Sequence, residues 1–345
     1  MPAVKAWDDG TRKSEAEVSS PAGMRPRNET QLPFPFNRDE KRIAYLRVTL
    51  FERQRLLLTM LDALKAPVGN LDFQKLLFLY TKECEKEPSY EFVPYKFGGF
   101  SFTSYADKRR LMEAGLLLQD DQQWGLTDMG RAAARKNAVQ PLVVAGFCRR
   151  HHSLRGTPLI AEQYRRYPYY ATRSEIVNGV LTDPESRKRV ADARPKASKP
   201  GLMTIGYEGR SLEAYLNLLI QNSATVLCDV RRNPLSRKYG FSKSTLSKAC
   251  DGVGIRYEHL PQLGIDSDER RDLKTQADYD ALFASYERHD LPKQAEAVGL
   301  IRAWVAAGER VALTCYEALP CQCHRHCVAE ALQHMNDEPL EVYHL

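Results

Sequence analysis

Residues 202–345 predict an α/β domain built on a parallel, Rossmann-like sheet, and residues 37–182 predict a mainly helical, winged-helix-like domain before it. Three observations lead there. Downstream, short apolar runs of strand length alternate with amphipathic stretches at helical spacing, the pattern of strands joined by helical crossovers. Upstream, helical periodicity dominates and closes on a hairpin-like piece. Between them, "DPESRKRVADARPKASKPG" (183–201) is rich in Lys, Arg, Pro and Ser, lacks apolar periodicity and reads as a basic linker. A chain of 345 residues is long enough for two such cores.

In the first domain, "AYLRVTLFERQRLLLTMLDALK" and "LDFQKLLFLYTKECEKE" carry apolar residues at helical spacing. An aromatic, strand-like "YEFVPYKFGGFSF" with a Gly-Gly turn leads into a helix over 103–114, and "GLLLQ" and "QWGLT" flank the polar "DDQ" as a small hairpin. "PLIAEQYRRYPYYATRSEIV" adds a further helical stretch rich in Tyr and Arg. Residues 1–36 are polar and Pro-rich, without the basic-then-apolar order of a signal peptide, and are expected to be a disordered lead-in.

In the second domain, "LMTIGYEG", "ATVLCDVR", "IRYEHLP", "RVALTCYE" and "LEVYHL" read as strands. The intervening helices are "SLEAYLNLLIQN" with Ser211 as its N-cap, "SKSTLSKACDGVG", two segments over 278–287 and 293–307, and "HCVAEALQHM".

Charge is divided unevenly. Residues 1–201 hold 34 basic against 24 acidic side chains, a net +10, whereas residues 202–345 hold 16 against 20, a net −4. The basic half points to a polyanionic partner, nucleic acid or nucleotide, and the helical domain is also a place for a protein partner. No apolar run approaches the ~20 residues a membrane helix needs, which excludes that class. Eight cysteines without an export signal are expected as reduced thiols in the cytoplasm.

Ligands of parallel α/β sheets sit beyond the carboxyl ends of the strands. Four loops fall there: Tyr207-Glu208, Asp229 to Ser236, His259 onward, and Cys315-Tyr316-Glu317 with the Cys/His run behind it. Glu208 and Glu317 are candidate nucleophile or acid/base groups, Tyr207 a hydroxyl donor or stacking face, and Asp229 an orienting group for an arginine. Arg231 and Arg325 are candidates for phosphate binding, with Arg232, Ser236, Arg237 and Lys238 from the loop "RRNPLSRKYGFSKSTL". Cys323 and His324 are expected at the first turn of the last helix, where free amides favour anions and lower a thiol pKa. No cofactor is expected. Zinc held by Cys321, Cys323, His324 and Cys327 is the alternative, opposed by the lack of a second ligand pair elsewhere in the chain.

"TIGYEGRSLEAYLNLL", "DVRRNPLSRKYGFSKSTL", "YEHLPQLGIDSDERR" and "ALTCYEALPCQCHRHCVAEAL" together resemble domain-of-unknown-function family 488. That resemblance implies recurrent groups at Gly206, Tyr207, Glu208, Asp229, Arg231, Pro234, Glu317, Cys323, His324 and Arg325. Residues 40–180 resemble the Panacea antitoxin-like group through Lys75-Leu76-Leu77, through Tyr90, Phe92, Tyr95, Gly98, Phe100 and Ser101, and through "YPYYATRSEI". This second resemblance implies a recognition or regulatory module.

The expected function is an enzyme processing nucleic acid or nucleotide, a hydrolase acting on a base or N-glycosidic bond, with modified DNA within its range. A nucleotide sensor or regulatory or defence protein without turnover, and a zinc-stabilised interaction protein, are the alternatives.

Overall fold

The computed structural model describes residues 49–345 apart from 197–198, 267, 272 and 336–339. The 1–36 lead-in lies outside the described residues.

The first half begins with helix α1 (Glu52–Leu64), strand β1 (Val68–Gly69) and helix α2 (Asn70–Cys84). A hairpin of β2 (Val93–Tyr95) and β3 (Gly98–Phe100) leads into α3 (Phe102–Glu113). Strand β4 (Gln123–Trp124) then pairs antiparallel with β1, and Leu117 bridges Leu126 beside it. Helices α4 (Asp128–Lys136), α5 (Pro141–Arg150) and α6 (Gly156–Arg166) complete this helical region. Its core is the apolar stripe seen in the sequence: Leu56, Leu57 and Met60 of α1 share one buried cluster with Phe73, Leu76 and Leu77 of α2, and Phe73 stacks on Trp124 at 4.3 Å.

Part of the expected linker is helical. After a short helix α7 (Val177–Val180), helix α8 (Pro184–Asp192) occupies half of 183–201. Asp183 caps it by accepting from the Ser186 amide at 2.7 Å, and Val190 is buried beside Ile160 and Tyr164. One apolar contact suffices to dock so short a helix, too little to register as periodicity.

The second half carries a five-stranded sheet in the order β7-β6-β8-β5-β9, every neighbouring pair parallel. Its strands are β5 (Gly201–Gly206), β6 (Val226–Asp229), β7 (Arg256–His259), β8 (Arg310–Cys315) and β9 (Val342–His344). Side chains alternate between faces, as the strand period of two requires. Leu202, Val226, Cys228, Val311 and Leu313 pack in one core with helices α11 (Gln276–His289), α12 (Ala295–Ala306) and α13 (Arg325–His334). Met203, Ile205, Leu227 and Ala312 pack in another with α9 (Leu212–Gln221) and α10 (Lys243–Gly252). Covered on both faces, β5 and β6 are buried throughout, which is why they read as largely apolar runs, with Thr204 and Asp229 as their buried polar residues. Ser211 caps α9 through the Ala214 amide at 2.9 Å, as its position predicts.

The two halves share a polar seam over an apolar one. Glu213, fully buried on α9, accepts from Ser101 Oγ (3.1 Å), Thr103 N (2.7 Å) and Thr103 Oγ1 (2.9 Å) at the start of α3. A carboxylate at a helix N-terminus is favoured by the unpaired amides and dipole there. Asn217, one turn along α9, donates to Phe92 O and accepts from Tyr169 OH. Beneath them Val93 and Phe102 join the core of the second half, and the Tyr95 ring lies so close to Gly252 that a Cβ there would meet it at 2.5 Å.

Candidate functional site

With all strands parallel, the ends of β5, β6, β7 and β8 open on one edge, and the loops after β5 and β8 are knitted together. Tyr207 N and Glu208 N donate to Tyr316 O at 3.1 and 2.9 Å, and Glu208 Oε2 accepts from Ala318 N at 3.0 Å. Gly206 makes the approach possible, because a Cβ there would fall 1.8 Å from Glu317 O.

Two arginines expected to grip phosphate are instead spent within the scaffold. Arg231 forms a two-point pair with the fully buried Asp229 (Nε–Oδ1 2.8 Å, Nη2–Oδ2 2.5 Å), and its Nη1 donates to Tyr207 OH and Phe241 O, both at 2.9 Å. Burial disfavours the guanidinium charge, yet the bonds and charge of Asp229 outweigh it and hold the Arg231 pKa above its ordinary value. Asp229 also accepts from Tyr257 OH at 2.6 Å, and the Tyr207 ring stacks on Phe241 at 4.3 Å. Asp229 and Tyr207 are therefore placed as supports of an arginine. Arg325 is 0% exposed, and its Nη1 and Nη2 donate to the carbonyls of Glu317 (2.5 Å) and Ala318 (2.9 Å). It pins the loop after β8.

The solvent-facing rim is made of other groups. Tyr316 is 45% exposed and its ring meets Tyr207 edge-on at 5.3 Å, on the loop whose Ala318 amide binds Glu208 and which carries Glu317. Glu317 is half-buried between Arg270, whose guanidinium it binds, and the Cys315 thiol, 3.3 Å from its Oε2. Burial, followed by the charge of Cys315, raises its pKa against the pull of Arg270. On the next loop Arg232 is exposed and pairs with Asp266 at 3.2 Å, and Arg237 is exposed. Ser236 Oγ accepts from Lys238 N within the loop at 3.1 Å, and Lys238 Nζ ties the loop to the one after β5 by donating to Tyr207 O at 2.9 Å.

Beneath the rim lies the Cys/His cluster, arranged otherwise than its spacing implies. Cys323 and His324 are joined by Cys315 at the end of β8, and the three donor atoms lie within 4.8 Å of one another, all buried. Cys321 is exposed, and Cys327 stands with His326 and Glu287, so the four-ligand set Cys321, Cys323, His324 and Cys327 is divided among separate places. The helix begins at Arg325, leaving Cys323 before it in extended backbone. Burial pushes the Cys323 thiol up, reversing the helix-tip expectation. The lowered thiol is Cys315: the hydrogen bond from Cys323 is the main cause, with His324 and Arg270 adding to it. Burial opposes the charge of His324, but Cys315 outweighs burial and raises its pKa.

Arg270 escapes sequence reasoning because 47 positions separate it from Glu317. Its signal is its place in the "YEHLPQLGIDSDERR" block. Cys315 joins the cluster through strand geometry, from eight positions before Cys323.

A family model described as "Domain of unknown function DUF488" matches residues 211–332. The resemblance of the first half to the Panacea-like group finds no matching family model. No curated protein and no solved structure matches the chain.

Proposed function

We propose that this protein is a hydrolase that processes a nucleotide or nucleic acid at the carboxyl edge of its sheet, by cleavage at a base. One observation carries the reading: the backbone bonds that knit the loops after β5 and β8 bring the exposed Tyr316 and the carboxylate residues Glu208 and Glu317 to one edge of the sheet. Every base has a π-face, so such a ring holds it by stacking worth about 1–3 kcal/mol. Breaking an N-glycosidic bond passes through an oxocarbenium-like centre that one carboxylate steadies, while the other group protonates the departing base or activates water. Arg232 and Arg237, on the neighbouring loop, take the phosphate role that Arg231 and Arg325 do not fill.

The first half is the grip on longer substrates. Its order of helix, strand, helix, β2–β3 hairpin and helix, with β4 returning to pair β1 and Leu117 bridging Leu126, supports a winged-helix-like reading with a hairpin inserted before its third helix. The net +10 of residues 1–201 suits a phosphate backbone.

Glu208→Gln and Glu317→Gln test the proposal. Each is expected to keep affinity for nucleotide or short DNA within about threefold and to abolish base release, since a neutral isostere keeps shape and loses proton chemistry. The second reading, a sensor without turnover, is favoured by the Glu213 seam between the halves. Affinity and biological activity falling together, with no product from the unaltered protein, selects it.

A further inference from the structure

Beneath the proposed rim, the geometry points to a zinc site that the sequence spacing hides: Cys315, Cys323 and His324. Their donor atoms lie within 4.8 Å of one another, and the Cys315 Sγ to His324 Nδ1 distance is 3.8 Å. Zinc bonds of about 2.3 Å to sulfur and about 2.0–2.1 Å to nitrogen, at tetrahedral angles, place such donors about 3.5 Å apart. The Cys315–His324 separation is within a few tenths of an ångström of that value, and the 4.8 Å bound on the whole trio leaves at most about an ångström of closure.

The histidine is already set for the task. Its Nε2 is 3.0 Å from Val230 O, and because a carbonyl can only accept, Nε2 carries a proton and Nδ1, 3.8 Å from Cys315 Sγ, is the ring nitrogen left to ligate a metal. Ligating histidines are held in this way, by the second ring nitrogen donating to a carbonyl or carboxylate. The site is also supported from outside the trio. Glu317 Oε2 touches Cys315 Sγ at 3.3 Å and is itself held by Arg270, while Arg325 fixes the loop that carries Glu317. Two thiolates offset the charge of Zn²⁺, and the Glu317–Arg270 pair adds no net charge, so a metal-bound cluster can be buried without an unpaired charge.

The chemical class follows from the donors: two soft sulfurs and one imidazole select zinc over magnesium or calcium. Glu287, His326 and Cys327 form a neighbouring trio, but with a single sulfur and an exposed carboxylate they make the weaker set. The proposal is independent of the nucleotide reading, since it concerns metal content and not turnover.

Elemental analysis of the full-length protein, purified without chelator, is expected to give about one zinc per chain. Cys315→Ser and Cys323→Ser should each lower it at least about tenfold, while Cys321→Ser and Cys327→Ser retain it. Should the first two fail to fold, the unaltered protein stripped and reloaded with Co²⁺ decides. Sulfur-to-cobalt charge-transfer absorption from two thiolates supports the site. Metal-free protein that takes up no Co²⁺, recovery of Cys315 and Cys323 joined as a disulfide, or loss of metal on Cys327→Ser overturns it.

Discussion

Lys75 in the helical half and Arg231 in the sheet half are both buried cations, and they are handled in opposite ways. Arg231 meets a carboxylate at two points, a phenol and a carbonyl. Lys75 donates to Gly99 O at 2.9 Å, and burial pulls its pKa down to about 7. The first arrangement fixes a charge permanently beneath the strand-end loops. The second tolerates the neutral amine and makes part of the stability of the helical half a function of pH. Each guanidinium nitrogen of Arg231 is engaged within the protein, which leaves it a structural role.

The largest effect that would test this contrast comes from Asp229→Asn. It leaves Arg231 buried against a neutral amide and should cost about 3–5 kcal/mol in urea unfolding, the penalty for breaking a buried pair from one side. A loss below about 1 kcal/mol would mean that Arg231 turns out to solvent and is available to a ligand.

Next in size is the pH response of Lys75. Its folded pKa lies below the unfolded value of about 10.4, so between these limits the unfolded chain binds more protons and stability rises with pH. The slope approaches about 1.4 kcal/mol per pH unit well above pH 7, and the window from about 7 to 8.5 reads it before most thiols ionise. Lys75→Met should flatten that rise in thermal unfolding. An unchanged profile would show that Lys75 is charged and solvated in the folded protein.

Glu213→Gln is expected to cost less, about 1–3 kcal/mol, because the amide still accepts from the Thr103 backbone but loses the charge-assisted character of the bonds. If the seam joins the halves, one cooperative transition should begin to separate into two by calorimetry. The smallest change in stability, within about 0.5 kcal/mol, belongs to Arg232→Ala with Arg237→Ala, both exposed, while nucleotide affinity should fall and lose much of its salt dependence.

What could be read beforehand follows from how local each signal is. The five strands and the Ser211 cap are written in neighbouring residues, through apolar runs and a helix-start side chain. Asp229 and Arg231 lie two positions apart, so their pairing was within reach of a local argument. The α8 helix was missed because a single buried valine docks it. Arg270 on Glu317, Cys315 beside His324, and Glu213 at the start of α3 are set by crossovers and packing of distant segments, which spacing does not encode. Arg325 shows the same limit: it reads as a rim cation in the sequence, and the fold buries it with Nη1 and Nη2 on two carbonyls of its own loop.

A crystal structure of Glu317→Gln soaked with a nucleoside monophosphate would place the substrate directly. The base should lie on Tyr316, with its glycosidic bond between residues 208 and 317 and its phosphate toward Arg232 and Arg237. Density at the groove of about 840 Å³ lined by Phe51, Arg53, Glu85 and Gln140, with the strand-end rim bare, would contradict it.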